Sequence, residues 1–187
     1  MATLTRLLSY EEWIDMPPAG EGREEVVNGE LVAIPPNRYT HAEVIRRLTE
    51  ALAPRLRERD ARVFGSSLSL LISREPLVCR APDIAVYSPE GIKLDEHEIF
   101  CSAPELIIEV LSPSETRRRK DRKLSDYARI GVPEVWIVSP EALSVEVRLL
   151  RDSKLALERI VLEGAIEPSR FPGVSLPVAE FWPPDLP

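Results

Sequence analysis

Two carboxylates stand where this sequence makes them costly. Asp83 interrupts Pro82-Asp83-Ile84-Ala85-Val86, and Glu109 interrupts Leu106-Ile107-Ile108-Glu109-Val110-Leu111. Both runs have the composition of buried strands, where an ionised carboxylate loses hydration that something must replace. A divalent cation is one replacement, and an arginine or lysine partner is another. With a strand's period of two, Glu109 shares a face with Ile107 and Leu111, and Asp83 shares one with Ala81 and Ala85. If the two strands are neighbours, both acids converge on one ion. An all-oxygen donor set of this kind selects magnesium or manganese over zinc. A salt-bridged carboxylate with no catalytic role is the alternative, and it stays open at this stage.

A cationic run lies just downstream. Between Glu115 and Lys123 stand six cations (Arg117, Arg118, Arg119, Lys120, Arg122 and Lys123) against two anions, Glu115 and Asp121. Such a run is either a solvated helix face or a patch that holds a phosphodiester backbone beside the acids. Lys123 precedes Leu124 and lies four residues before Tyr127, so it leans toward the packed side of a helix. A lysine so placed can orient a water or offset charge on a phosphorane.

Other chemistries are excluded. The sequence has no GxxxxGK[ST], GxGxxG or GxSxG motif, and His41 and His97 are its only histidines. His97 sits in the acidic stretch Asp95-Glu96-His97-Glu98 and reads as part of a solvated loop. Cys79 and Cys101 lack CxxC spacing, so neither a disulfide framework nor a zinc cluster organises the chain. The net charge of −7 argues against a non-specific nucleic-acid coat but not against one local basic patch. No run approaches the roughly 18 apolar residues of a membrane span, and residues 1–10 lack a signal-peptide pattern. A soluble, cytoplasmic protein with no membrane partner is the expectation.

The elements that must position these residues are legible from caps, turns and periodicity. With 187 residues, 44% of them hydrophobic, the chain suffices for one core-bearing domain. Its expected parts are an N-terminal helix and hairpin over 1–38, a core over 40–138, and C-terminal strands and tail over 143–187. Ser9 and Glu12 form a capping box for a short helix to Asp15, stopped by Met16-Pro17-Pro18. Asn28-Gly29 between Glu25-Val26-Val27 and Glu30-Leu31-Val32 predicts a type I′ hairpin with Glu25 opposite Val32, on a mainly apolar face with Val27. Thr40 and Glu43 form a second capping box, followed by Val44, Ile45, Leu48, Ala51, Leu52 and Leu56 at helical spacing, with Pro54 as a late kink or break. Strands are expected over 63–72, 78–87 and 106–111, a basic helix over 116–130, a strand over 135–138 and a closing pair over 143–150 and 155–162. The order predicts an α/β fold with a central mixed sheet flanked by helices. The 18 prolines are spread through loops and read as loop stiffening. Edge strands and the tail Phe181-Trp182-Pro183-Pro184 suggest a homo-oligomer contact, or a terminus tied down on its own chain.

Three strings carry a resemblance: Pro82-Asp83-Ile84; the run from Pro104-Glu105-Leu106 through Glu109 to Ser112-Pro113-Ser114; and Lys123, Tyr127 and Gly131-Val132-Pro133-Glu134-Val135-Trp136-Ile137-Val138. Together they resemble the PD-(D/E)XK nuclease superfamily, and within it the bacterial Uma-two restriction-endonuclease family. The Glu25-to-Leu31 hairpin and Phe171-Pro172-Gly173-Val174-Ser175-Leu176 fit the same group, so the likeness spans nearly the whole chain. It implies a restriction-endonuclease-like core, metal carboxylates Asp83 and Glu109, the Val110 carbonyl as a further ligand, and Glu25 completing the site. Lys123 matches the basic position on the following helix, with Lys120 and Arg122 as competitors. The superfamily pattern places a lysine two residues after the second acid, and here that residue is Leu111. His41 matches a polar position at the start of the first long helix, either a substrate contact or a helix-start residue. Arg119 and Lys120 join it as expected substrate contacts.

The reading that follows is a magnesium- or manganese-dependent endonuclease acting on DNA. Its rivals are a catalytically degenerate module of the same fold that binds a nucleic-acid or protein partner, and a metal-dependent phosphoesterase on smaller substrates.

Overall fold

A tight hairpin begins the architecture. Asn28 and Gly29 both take positive φ (53° and 78°), which matches the twist of strands β1 (Arg23–Val27) and β2 (Glu30–Ile34). Glu25 faces Val32, as the turn dictates. A Cβ on Gly29 would lie 2.8 Å from the Leu7 Cβ, so the turn requires glycine for contact as well as for φ. This is a computed structural model, and it describes residues 6–17, 23–36, 38–66, 68–113 and 115–184. Pro18 and Ser114, quoted above, lie outside the described residues, as do residues 1–5.

Helix α1 (Tyr10–Ile14) carries the full Ser9–Glu12 capping box. Helix α2 (Tyr39–Arg57) begins earlier than expected. Its N-cap is Arg38, in extended conformation and without a side-chain cap, so Thr40 lies inside the helix and does not start it. Pro54 falls in the last turn and the helix continues past it to Arg57.

The next region departs most from the sequence reading. The expected strand over 63–72 is two strands, β3 (Arg62–Phe64) and β4 (Leu70–Arg74), and that over 78–87 is β5 (Leu77–Arg80) and β6 (Ile84–Tyr87). Gly65 breaks the first run and Pro82, which cannot donate to a ladder, breaks the second. The halves belong to different sheets. One is the antiparallel four-stranded sheet β2-β1-β5-β4. The other is a six-stranded mixed sheet completed by β7 (Leu106–Val110), β8 (Glu134–Ser139), β9 (Ser144–Arg151) and β10 (Lys154–Val161) in the order β10-β9-β8-β7-β6-β3. Asp83 therefore stands at a bend one residue before β6 and not inside a strand.

Helix α3 (Arg117–Arg129), capped by the Thr116 side chain, crosses between the parallel pair β7 and β8. The centre of the six-stranded sheet, β6, β7 and β8, is buried on both faces. Val44, Leu48 and Leu52 of α2 pack with Ile84, Ile108 and Trp136 on one side. Leu124, Tyr127 and Ala128 of α3 pack with Ile107, Val135 and Ile137 on the other. Both neighbouring strands thus read as continuous apolar runs, as parallel-sheet strands do. Leu176, Val178 and Phe181 of the C-terminal segment are buried in the α2-side core, and Trp182 packs against it, so this tail is held by its own chain. Glu134 helps: buried, its carboxylate accepts from Trp136 Nε1 at 2.6 Å and from the Ser169 N–H at 2.7 Å. Among the described residues no helix is long and apolar enough to cross a membrane.

Candidate active site

Antiparallel pairing of β6 with β7 sets Ile84 opposite Ile108. One step beyond that pair, Asp83 comes beside Glu109. The Val110 N–H donates to Asp83 Oδ2 at 2.9 Å, fixing the bend to the end of β7. Both carboxylates are buried, about 5% exposed, on the floor of a cleft of about 460 Å³. Hairpin β1–β2 and Pro35-Pro36 form one wall, and the first turns of α3 form the other.

Each acid has a distinct set of partners. Asp83 lies 3.4 Å from His41 Nε2 and 3.4 Å from Arg23 Nη1. Burial pushes its carboxyl up, but the bond to His41, the charge of Lys123 and the Val110 N–H outweigh that and hold it below the ordinary range. Glu109 accepts from Lys123 Nζ at 2.6 Å and from the Tyr127 hydroxyl. Burial raises the Glu109 carboxyl to about 7, because the negative charge of Asp83 and Glu25 offsets part of what Lys123 gives back. The three acids of the cleft floor, Glu25, Asp83 and Glu109, are thus met by three cations, Arg80, Arg23 and Lys123.

Glu25 reaches the same point from the other sheet. Its Oε2 accepts from Arg80 Nη1 at 2.8 Å, and its Oε1 lies 3.7 Å from Lys123 Nζ. Arg80, buried at 4% exposure, also holds Asp126 of α3 through Nε at 2.9 Å and Nη2 at 2.5 Å. This guanidinium fastens the four-stranded sheet to α3 above the cleft. Burial pushes the Lys123 ammonium down, but Glu109, Glu25 and Asp83 together hold its pKa above that of an ordinary lysine. The Tyr127 hydroxyl is likewise held well above its ordinary value, by burial and by Glu109.

Of the three competing cations, Lys123 is the one on Glu109. Lys120 instead pairs with Glu146 of β9 at 3.2 Å. Arg119, Lys120 and Arg122 all line the cleft, Arg119 and Arg122 exposed at its mouth. His41 lies within the first turn of α2, buried and turned to Asp83. Leu111, where the superfamily pattern has lysine, is a half-buried wall residue packed against the α3-side core.

Four residues of this cluster escaped the sequence reading. Arg23 donates through Nη2 to the Ala81 carbonyl at 2.7 Å and Pro82 carbonyl at 3.3 Å as well as touching Asp83. Arg80 and its partner Asp126 are two more, and Tyr127 stands in the motif string without having been read as the partner of Glu109. Arg80 had a signal, a cation ending the apolar run Leu77-Val78-Cys79, the mirror image of the argument made for the acids.

The donor set can be tested against a metal. Among the described residues no three His, Cys, Asp or Glu side chains form a ready-made ion cage. Zinc or calcium, which take full sets of protein ligands, fit poorly. Magnesium fits, because it is commonly held by one or two carboxylates, with waters and phosphate oxygens completing the shell. Asp83 and Glu109 supply that pair, brought together by the bond from the Val110 N–H to Asp83.

Asp83 at the bend before β6 and Glu109 near the end of β7, backed by a lysine on the crossover helix, sit in a mixed-sheet α/β fold of the restriction-endonuclease-like kind. A crystal structure titled as a putative nuclease belonging to DUF820, from Anabaena variabilis, superposes with a TM-score of 0.78, covering 94% of this chain and 97% of that one at 19% identity. The Uma2 profile, described as "putative restriction endonuclease", matches residues 9–179. The chain belongs to the Uma2 family. An uncharacterized protein of Synechocystis sp., sll1609, is 25% identical over 126 residues, 67% of this chain and 71% of that protein.

Proposed function

We propose that the chain is a magnesium- or manganese-dependent endonuclease that hydrolyses phosphodiester bonds in DNA. The observation that carries this reading is the meeting of Asp83, at the bend before β6, with Glu109 of the neighbouring β7, with Lys123 on Glu109 at the floor of a cleft rimmed by Arg119, Lys120 and Arg122. A divalent ion bound by Asp83 and Glu109, with the Val110 carbonyl as a further oxygen, would supply Lewis-acid charge and an acidified water.

The chain's own groups have separable tasks. Lys123 stays protonated among three carboxylates, so it serves as a fixed positive charge for the developing phosphorane and not as a base. Tyr127 and Lys123 orient the Glu109 carboxylate, while His41, Arg23 and the Val110 N–H orient Asp83. Glu25 is held by Arg80 and limits where Lys123 can sit. Exposed Arg119 and Arg122 meet the phosphate backbone at the mouth of the cleft.

Plasmid nicking with magnesium tests the proposal. Wild type converts supercoiled DNA to nicked and linear forms, and Glu109→Ala and Lys123→Met lose this by at least two orders of magnitude. Equal nicking by Glu109→Ala removes Glu109 from the mechanism. Absent cleavage together with magnesium heats unchanged by Asp83→Ala supports the degenerate-module reading, which Leu111 favours. Turnover of nucleotides but not polymer supports the phosphoesterase.

A further inference from the structure

Three of the exposed large apolar side chains gather at one place. Leu157, Ile160 and Leu162 are 48%, 55% and 63% exposed, on or next to β10, the terminal strand of the six-stranded sheet. Among the described residues nothing pairs with the outer edge of this eight-residue strand. Long unpaired edges with apolar side chains are pairing surfaces.

We propose that β10 is a self-association edge, and that a second copy of this chain pairs with it antiparallel to make a continuous twelve-stranded sheet. The β-bulge in β10 decides the occupant. The register against β9 shifts between Leu157 and Arg159, so that Leu157 faces Arg148 while Ile160 faces Glu146. Residues facing one another across a ladder share a side of the sheet. Leu157 and Ile160, three apart in sequence, therefore lie on the same side, that of α3, whose Lys120 holds Glu146. Arg159 faces Val147 and lies on the α2 side, with Ala156 and Val161. Glu158 turns to that side as well, where it meets Arg151 at 2.8 Å.

This pattern is self-complementary. Laying a second β10 antiparallel with Leu157 opposite Ile160 places Glu158 opposite Arg159 and Ala156 opposite Val161, each pair occurring twice by the two-fold axis. Every pair joins residues of the same side, apolar with apolar and anion with cation. In a strand without the bulge, Leu157 and Ile160 would point to opposite faces, and this register would set each against the wrong side. Isologous pairing of one patch with itself is the commonest route to a dimer.

Sedimentation of the full chain over a wide concentration range tests this. Wild type is expected at twice the 21.1 kDa chain mass, dissociating on dilution. Ile160→Arg, at a site already more than half exposed, is expected at the single-chain mass with an unchanged thermal melt. Glu158→Arg is expected to weaken the dimer roughly tenfold, because two cross-strand pairs turn repulsive. The swap Glu158→Arg with Arg159→Glu restores it, although the intrachain bridge to Arg151 is lost in both variants. A wild type at single-chain mass throughout, a dimer indifferent to Ile160→Arg, or a swap that fails to restore assembly overturns the proposal.

Discussion

Replacing Arg80 by methionine is the sharpest probe of how the site is built. Its guanidinium makes three charged hydrogen bonds, one to Glu25 and two to Asp126. Methionine keeps much of the volume and none of the donors. Glu25 is then left with the Ala81 N–H at 3.3 Å and Lys123 at 3.7 Å, in a place where its side chain is 6% exposed. Removing one partner of a buried ion pair costs about 3–5 kcal/mol, because the other charge stays behind without compensation. Part of that loss is relieved at Asp126, whose side chain is 13% exposed and can recruit water. For a chain of this length about 3–5 kcal/mol corresponds to a fall in melting temperature of roughly 10 °C. Calorimetric or circular-dichroism melts in chelator at pH 7 measure it, with two companions. Arg80→Lys keeps the charge but cannot span both acids and lies between; Arg80→Met with Glu25→Gln recovers part of the loss by removing the stranded charge. A fall of less than about 1 kcal/mol for Arg80→Met, within the range of a surface ion pair, refutes the reasoning that Arg80 fastens the sheet to α3.

Three further outcomes follow from the same geometry. In chelator, Glu109 titrates near 7 against an ordinary 4.5. The native state therefore holds its proton longer than the unfolded one; the associated stability is full below pH 4.5 and lost as pH rises through 7, on the order of 3 kcal/mol. Urea titrations across this window detect it, saturating magnesium is expected to flatten the dependence, and an identical slope in Glu109→Gln contradicts the assignment. Arg119→Gln removes an exposed cation from the mouth of the cleft and is expected to lower the slope of log K against log salt for DNA binding by about one phosphate contact; an unchanged slope removes Arg119 from the backbone contacts. Gly29→Ala forces a side chain into positive φ against Leu7, and a loss of roughly 1–2 kcal/mol or more is expected in chemical denaturation.

Legibility in the sequence followed the range of the interaction. The Asn28-Gly29 hairpin, the α1 capping box and α3 with its Thr116 cap are set by residues within a few positions of one another, and each lies where local chemistry puts it. The buried acids were visible because a charge in an apolar run is conspicuous without its partner. The partners themselves were not: Arg80 meets Glu25 across 55 residues and Asp126 across 46, and no local pattern encodes that. The splitting of 63–72 and 78–87 between two sheets was obscured for a related reason. Apolar strand patterns read alike in either sheet, and only Gly65 and Pro82 mark where the chain passes from one to the other. The Thr40 box misled because Arg38 had already taken the extended cap conformation two residues earlier.

The three-residue passage Ala81-Pro82-Asp83 joins β5 in one sheet to β6 in the other, with both ladders anchored at its ends. Length is therefore the property it can least afford to lose. Deleting one residue here would have to be absorbed by sliding β6 one place along β7, turning Ala85 and Val86 to the wrong cores, or by pulling Arg80 off Glu25. Either way the Asp83 carboxylate would leave the Val110 N–H. Insertion or deletion there breaks the site even where every side chain is kept, and a library of natural or designed variants should hold the spacing from Arg80 to Ile84 constant together with Arg80 and Asp83 themselves.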